Sequence, residues 1–156
     1  MLQHGFAQAR NRLITSAGKT GITTAEGKTI EIEGIETEHS DGAVFRTEHH
    51  AFIIRGSSTI LVTGDADLRK GYFAEQGDDK KVDIMIAPFT GIAQRKIRKS
   101  IQEMFAPEMM IIVHLPNPET DEFHYLEAVD KAEEKIRQEG GSVLVMRRNF
   151  DCYEWE

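Results

Sequence analysis

The feature that most constrains the fold is a series of short apolar runs, bounded by turn residues, that begins at Ile30. Runs of this length, set between turn signals, are typical of β-strands. The runs occupy residues 30–39, 51–65, 83–88, 109–116 and 142–147. The longest contains a turn at Arg55–Ser58 and therefore predicts two strands. Two others are apolar runs that end at proline, which is typical of strands buried on both faces of a sheet.

The first of these runs, IEIEGIETEH, alternates apolar and polar residues, but Gly34 breaks the phase of the alternation. A glycine that shifts a two-residue period predicts a β-bulge. Beyond the bulge, Ile35, Thr37 and His39 are expected to share one face.

Amphipathic helices are predicted between the later strands. Residues 92–105 carry an apolar stripe at helical spacing and end before Ala106–Pro107. The stripe consists of Ile97, Ile101, Met104 and Phe105. A second helix is expected to start at a cap on Asn117 or Thr120 and to end at Gly140–Gly141. Its stripe consists of Leu126, Val129 and Ile136. Strands followed by alternating helices and strands predict an α/β layered domain with a mixed sheet.

The length of 156 residues suits one domain, with a polar N-terminal segment at residues 1–29 and a core at residues 30–150. The formal net charge of −7 gives no electrostatic reason to bind nucleic acid or an anionic membrane. The basic cluster at residues 95–99 is interpreted as a solvated helix face. A single cysteine, Cys152, excludes an intrachain disulfide. No signal peptide is recognised, so a cytoplasmic location is expected.

Three residues that can bind metals each follow a predicted strand. His39 ends the first run, Asp65 follows ILVTG, and His114 follows MMIIV. Side chains at the carboxyl ends of strands can converge on one ligand, and two imidazoles with a carboxylate suit Zn, Fe or Mn. Each residue alone has a simpler interpretation, as a hydrogen-bonded histidine or as a turn aspartate.

The ordered segments EIEGIETEHSDG, ILVTGDAD, VDIMIAP and MIIVHLP resemble the C-terminal half of metallo-β-lactamase-fold hydrolases, in particular the lactonase-like bacterial group. The resemblance covers residues 25–148, about half of the family's domain. It implies that His39 binds one metal and His114 a second, with Asp65 bridging them. The family's HxHxDH motif, which supplies the remaining ligands, does not occur in this chain.

The fold implied by this resemblance is half of an αβ/βα sandwich, with helices on one face of a mixed sheet. The implied function is that of a metal-dependent hydrolase of a small-molecule ester, lactone or phosphoester, in a truncated or split form. The cofactor that the resemblance implies is Zn, Fe or Mn. It is expected to be absent from this chain if binding requires the ligands of the HxHxDH motif. The alternative is a catalytically inert half-domain that binds a complementary half or forms a homo-oligomer through its uncovered sheet face.

Other polar residues are candidate neighbours of this site. Asp67 follows Asp65 closely and is either a site neighbour or a loop residue, and His124 is expected in the first turn of the last helix, near His114. Adjacent strand residues point to opposite faces, so His49 and His50 are not expected to bind one ion together. They either replace a missing ligand or face solvent at the start of a strand.

Overall fold

The computed structural model describes residues 18–39, 49–68, 81–148 and 152. They form an α/β structure with one seven-stranded mixed sheet, whose strands lie in chain order. The strands are β1 (Gly18–Thr23), β2 (Thr29–Thr37), β3 (His49–Arg55), β4 (Thr59–Val62), β5 (Ile84–Pro88), β6 (Met109–Val113) and β7 (Ser142–Val145). The helices are α1 (Phe89–Ile92), α2 (Arg95–Phe105) and α3 (Tyr125–Gln138), with a 3-10 turn at Pro118–Thr120. The prediction of an α/β mixed sheet is confirmed.

Strands β1 to β4 form an antiparallel meander. The predicted pair of strands joined at Arg55–Ser58 is confirmed as β3 and β4. The predicted bulge at Gly34 is wrong, because the pairing of β2 with β3 continues through it without a shift in register. Strand β1 falls in the segment described from sequence only as polar. Its residues are mostly exposed, so it lacks the apolar signal that revealed the other strands.

Strands β4 to β7 pair in parallel, and helices connect β5 to β6 and β6 to β7. The helix predicted at residues 92–105 is confirmed as α2, but it begins later than predicted, at Arg95, because the chain is extended at Gln94 and Ile92 ends the separate short helix α1. The prediction that Asn117 or Thr120 caps the last helix is wrong. Asn117 caps the 3-10 turn, whereas the carboxylate of Asp121 accepts hydrogen bonds from the backbone N–H groups of Tyr125 and Leu126.

All three helices pack against the same face of the sheet, here called the covered face. Helix α1 contacts α3 as well as β5 and β6, and α3 contacts β7. One continuous hydrophobic core results. Its sheet residues include Ile35, Ala51, Ile53, Leu61, Met85, Ala87, Met110, Ile112, Val143 and Val145, and its helix residues include Ile92, Ile97, Ile101, Phe105, Val129 and Ile136.

The opposite face, here called the open face, is also apolar but only half-buried. Its large side chains on β2 to β7 include Ile30, Ile32, Phe52, Ile54, Ile60, Val62, Ile84, Ile86, Met109, Ile111, Val113 and Leu144. The prediction that the parallel strands are buried on both faces therefore holds fully for the covered face alone.

The basic cluster at residues 95–99 is not a uniformly solvated helix face. Arg95, Lys96 and Lys99 are exposed, but Arg98 is only 7% exposed. Its Nη1 donates hydrogen bonds to the carbonyl oxygens of Ile92 and Ala93, each at 3.0 Å. The prediction of solvation is therefore wrong for Arg98, whose side chain turns back under the end of α1.

A search of the described helices for a bilayer-spanning segment found none of sufficient length and apolar character. The longest of these helices, α3, has 14 residues, against about 20 needed to cross a membrane.

Candidate functional site

His39 and Asp65 are brought together by a short backbone pairing beyond the ends of β2 and β4. His39 forms an isolated antiparallel bridge with Ala66, and the backbone N–H of Asp67 donates to the carbonyl oxygen of Glu38 at 2.8 Å. As a result, Nε2 of His39 lies 3.6 Å from Oδ2 of Asp65. Two residues that are 26 positions apart in the sequence thus meet because β2, β3 and β4 are neighbours in the sheet.

His114 approaches Asp65 from the end of β6. Its Nδ1 lies 2.7 Å from Oδ1 of Asp65. An ionised carboxylate only accepts hydrogen bonds, so Nδ1–H of His114 is the donor, and in the neutral imidazole the lone pair of Nε2 remains available. His114 has a φ of 58°, which lies in the left-handed region that residues other than glycine rarely adopt. The sequence-predicted residues His39, Asp65 and His114 therefore meet at one carboxylate.

The turn that carries Asp65 is held by Thr63 and Gly64. Thr63 is fully buried, and its hydroxyl lies within hydrogen-bonding distance of the carbonyl oxygens of Gly64 and Ile86. Gly64 has a φ of +52°, and a Cβ atom at this position would lie 2.9 Å from Nε2 of His49. Glycine is needed here both for its backbone conformation and for the close approach of this imidazole.

His49 also belongs to this cluster, in a role that the sequence did not predict. The backbone N–H of Asp65 donates to Nε2 of His49 at 3.0 Å, so Nε2 carries no proton. The proton resides on Nδ1, which lies 2.6 Å from the hydroxyl of Thr37. Burial lowers the pKa of His49, and the neighbouring His39 lowers it further, whereas Asp65 acts in the opposite direction. This neutral imidazole fixes the backbone of Asp65.

His50 lies on the other side of the sheet, as the alternation of strand residues predicts. Its ring stacks on Phe52, with the centroids 6.4 Å apart. The prediction that His49 and His50 do not bind one ion together agrees with this geometry. The interpretation of both as solvent-facing residues is wrong for His49, which is half-buried and hydrogen-bonded. Only its pairing opposite Thr37 on the covered face could have indicated this role.

The two predicted site neighbours occupy different surroundings. Asp67 is buried, with 4% of its surface exposed, and lies in the same turn as Asp65. His124 is exposed and is the residue that precedes α3, with a φ of 55°. Its backbone N–H donates to the carbonyl oxygen of Asp121, and its carbonyl oxygen accepts from the backbone N–H of Ala128. Asp67 therefore lies in the turn that carries Asp65. His124 instead lies at the start of α3, one residue before the helix in which it was predicted.

The donors at this cluster suit a transition metal in kind but not in number. Imidazole and carboxylate groups are common ligands of Zn and Fe. Each oxygen of Asp65 faces a different histidine, which gives two donors on each side. A catalytic Zn site normally has three protein ligands. Among the residues that the structure describes, no group of three or more potential ligands is arranged to hold an ion.

A cleft of about 640 Å³ lies beside His114. Its walls are formed by the segment that follows β6 and by the segment that follows β7. The lining residues include Val113, Leu115, Asn117, Met146 and Arg147. A cleft of this size is in the range of small-molecule sites.

The chain was compared with protein-family models and with curated proteins, and neither comparison gave a match.

Proposed function

We propose that this chain is the C-terminal half of a metallo-β-lactamase-fold, metal-dependent hydrolase, with His39, Asp65 and His114 as its metal ligands. The observation that carries the proposal is the arrangement of Asp65, whose two oxygens face two different imidazoles. A carboxylate that bridges two metal ions needs one histidine on each side. The resemblance of the flanking segments assigns the same roles to the same three residues.

The backbone of His114 adds support to this proposal. A non-glycine residue in the left-handed region stores strain that the surrounding structure must maintain, and such residues cluster at functional sites. Here the strained residue is the one whose Nδ1 is hydrogen-bonded to Asp65.

The residues of this chain would contribute binding and orientation. His39 and His114 would each hold one of two Zn, Fe or Mn ions, Asp65 would join the two sites, and His49 would fix the backbone of Asp65. When bound, such ions supply an activated water for attack on an ester, lactone or phosphoester. The cleft beside His114 would receive a small-molecule substrate. One histidine and one oxygen of Asp65 are too few to hold each ion. The remaining ligands would therefore come from the complementary half of the family's domain.

Metal content tests this proposal directly. The purified full chain would be equilibrated with Zn²⁺, dialysed and analysed by mass spectrometry, as would His114→Ala and His50→Ala. Because each side supplies only two donors, we expect weak but saturable binding. It weakens further by roughly tenfold or more in His114→Ala, which loses a ligand, and is unchanged in His50→Ala on the open face. Equal effects of the two substitutions, or no saturable binding below millimolar Zn²⁺, would contradict the proposal.

A second candidate function, association through the open face, is favoured by the apolar character of that face. Seven strands at the usual spacing span roughly 30 Å, and about five residues a strand give a patch of roughly 500 Å². Apolar patches of this size on monomers are often functional. On β3 to β7 this face carries no Asp, Glu, Lys or Arg. It is therefore suited to a second apolar sheet, from another copy or from a complementary half.

Sedimentation of Ile111→Lys tests this second function. Ile111 lies on β6, between β5 and β7, so a lysine there would place a charge within the contact. We expect the wild-type chain to associate and Ile111→Lys to dissociate, with at least about a tenfold weaker self-association constant. Gln138→Lys, which adds the same charge on the exposed side of α3, is the control. A wild-type monomer at all concentrations would contradict self-association.

A further inference from the structure

A second pocket, of about 330 Å³, lies between α2 and the end of α3 on the covered side of the sheet. Met110 forms part of its floor, and Ile136, Gly140 and Gly141 form the wall beneath α3. Met110 is near the start of β6, whereas His114 follows its end. At about 3.3 Å per residue, four residues separate the two by roughly 13 Å. The pocket is therefore a different place from the candidate metal site.

Arg98 lines this pocket and is a buried cation with unmet bonding capacity. It is 93% buried, and its Nη1 is bonded to two backbone carbonyl oxygens. Its Nε is buried without a hydrogen-bond partner. Within the described ranges, no carboxylate lies at ion-pair distance from this guanidinium. A buried charge that lacks a partner is costly, and an unsatisfied group of this kind often marks an ion or ligand.

The charges around the pocket favour an anion. Arg95 and Lys99 also line it, one turn apart on α2, and Glu139 is the one acidic residue among the lining residues. Three cations against one carboxylate leave a net charge of +2 from the lining residues. The backbone N–H groups of Gly140 and Gly141 are already bonded to carbonyl oxygens at the end of α3. The remaining donors are therefore on the basic side chains, although Lys99 already pairs with Glu103 at 3.6 Å and Nη1 of Arg98 already bonds two carbonyl oxygens.

We propose that this pocket binds the phosphate group of a small molecule, with Arg98 as the central binding residue and Arg95 and Lys99 beside it. The exposed planar fork of Arg95 can match phosphate oxygens in pairs, and Arg98 adds a buried positive charge beside them. A phosphate group carries close to two negative charges at neutral pH, which balances the net charge of the lining. The volume exceeds that of a bare ion and leaves space for an organic moiety. This site is independent of metal binding at Asp65.

The test is a titration of the full chain with inorganic phosphate at constant ionic strength and without added metal. Amide signals of Gly140 and Gly141 report on the pocket in NMR spectra. We expect saturable shifts with phosphate, and with acetate an affinity at least about tenfold lower, because acetate carries one charge. Saturation by acetate at equal or lower concentration would contradict the phosphate assignment. No saturation below roughly 10 mM phosphate would contradict the site.

Matched substitutions on α2 locate the binding. The double variant Arg95→Gln/Lys99→Gln removes two exposed charges at the pocket and is expected to weaken phosphate binding by at least about tenfold. Lys96→Gln removes a charge from the same helix but not from the pocket, and is expected to bind as the wild type does. Equal weakening in both would show nonspecific attraction and overturn the proposal. Arg98→Gln, if folded, is expected to weaken phosphate binding by at least about tenfold, because it removes the positive charge buried beside the pocket.

Discussion

Both faces of the sheet are rich in apolar residues, but they differ strongly in burial. Neighbouring residues on one strand show it: Leu61 on the covered face is fully buried, whereas Ile60 on the open face is half-buried. The same holds for Met85 and Ile84 on β5. Apolar side chains indicate that a face of the sheet can be buried, but the degree of burial depends on which elements pack against that face. On the covered face, three helices do so.

Alanine substitutions on β4 measure this difference and give the largest expected effect. Leu61→Ala removes a fully buried side chain from the core, and we expect a loss of about 2–5 kcal/mol in the free energy of unfolding. Ile60→Ala removes a side chain that is already partly hydrated, so we expect roughly half that loss. Urea unfolding of both variants at low protein concentration makes the measurement. Equal losses would mean that the open face is as well covered as the other.

The adjacent histidines of β3 provide a second comparison of the two faces. His49→Leu removes the acceptor for the backbone N–H of Asp65, and we expect a loss of about 1–3 kcal/mol in the free energy of unfolding. His50→Leu removes only a ring stacked on Phe52, with an expected loss of about 1 kcal/mol or less. Thermal unfolding of both variants at neutral pH decides. A larger effect at His50 would mean that the Asp65 turn does not depend on its imidazole.

The smallest expected effect is the change in stability at acid pH. It tests the contribution of Glu133 on α3, whose carboxylate accepts hydrogen bonds from Arg137 and Arg147. Burial raises the pKa of Glu133, but hydrogen bonds from Arg137 and Arg147 more than offset this and lower it from 4.5. A carboxyl group whose pKa is lowered by folding stabilises the fold above its unfolded value and loses that contribution as the pH falls below about 4.5. After solvent screening, we expect less than about 1 kcal/mol.

Urea unfolding between pH 7 and pH 3 measures this contribution. Glu133→Gln is expected to reduce the loss of stability on acidification. Glu134→Gln, at an exposed position on the same helix, is expected to leave it unchanged. The same pH profile for both variants would contradict a role for the bonds between Glu133 and the two arginines.

The sequence predicted six of the seven strands, because their apolar runs are separated by clear turn signals. It did not predict β1, whose exposed polar residues resemble a loop, and it began α2 too early, because the extended residue Gln94 interrupts no apolar stripe. The prediction of a bulge at Gly34 was also wrong, because a glycine that breaks an alternating pattern need not interrupt strand pairing. A glycine can fit a regular strand where its neighbours pack closely, and Gly34 is buried between β1 and β3.

At the candidate site, the sequence identified the residues at strand ends but not those that support them. His39, Asp65 and His114 each follow an apolar run, and that position predicts convergence at one edge of the sheet. The role of His49 depends on its pairing opposite Thr37 and on a glycine at position 64, neither of which has a local signature. Similarly, the spacing of the basic residues on α2 did not reveal that Arg98 turns inward.

The chain order of the strands has a consequence for how the domain forms. Every strand pairs with the next strand in the sequence, and even the distant pair Met109 and Ser142 is separated by only 33 positions. Because the entropy lost on closing a loop grows with its length, each pairing step is inexpensive in entropy. Folding can therefore proceed by successive addition of neighbouring strands, and a chain emerging from the ribosome can dock each strand before the next one is made.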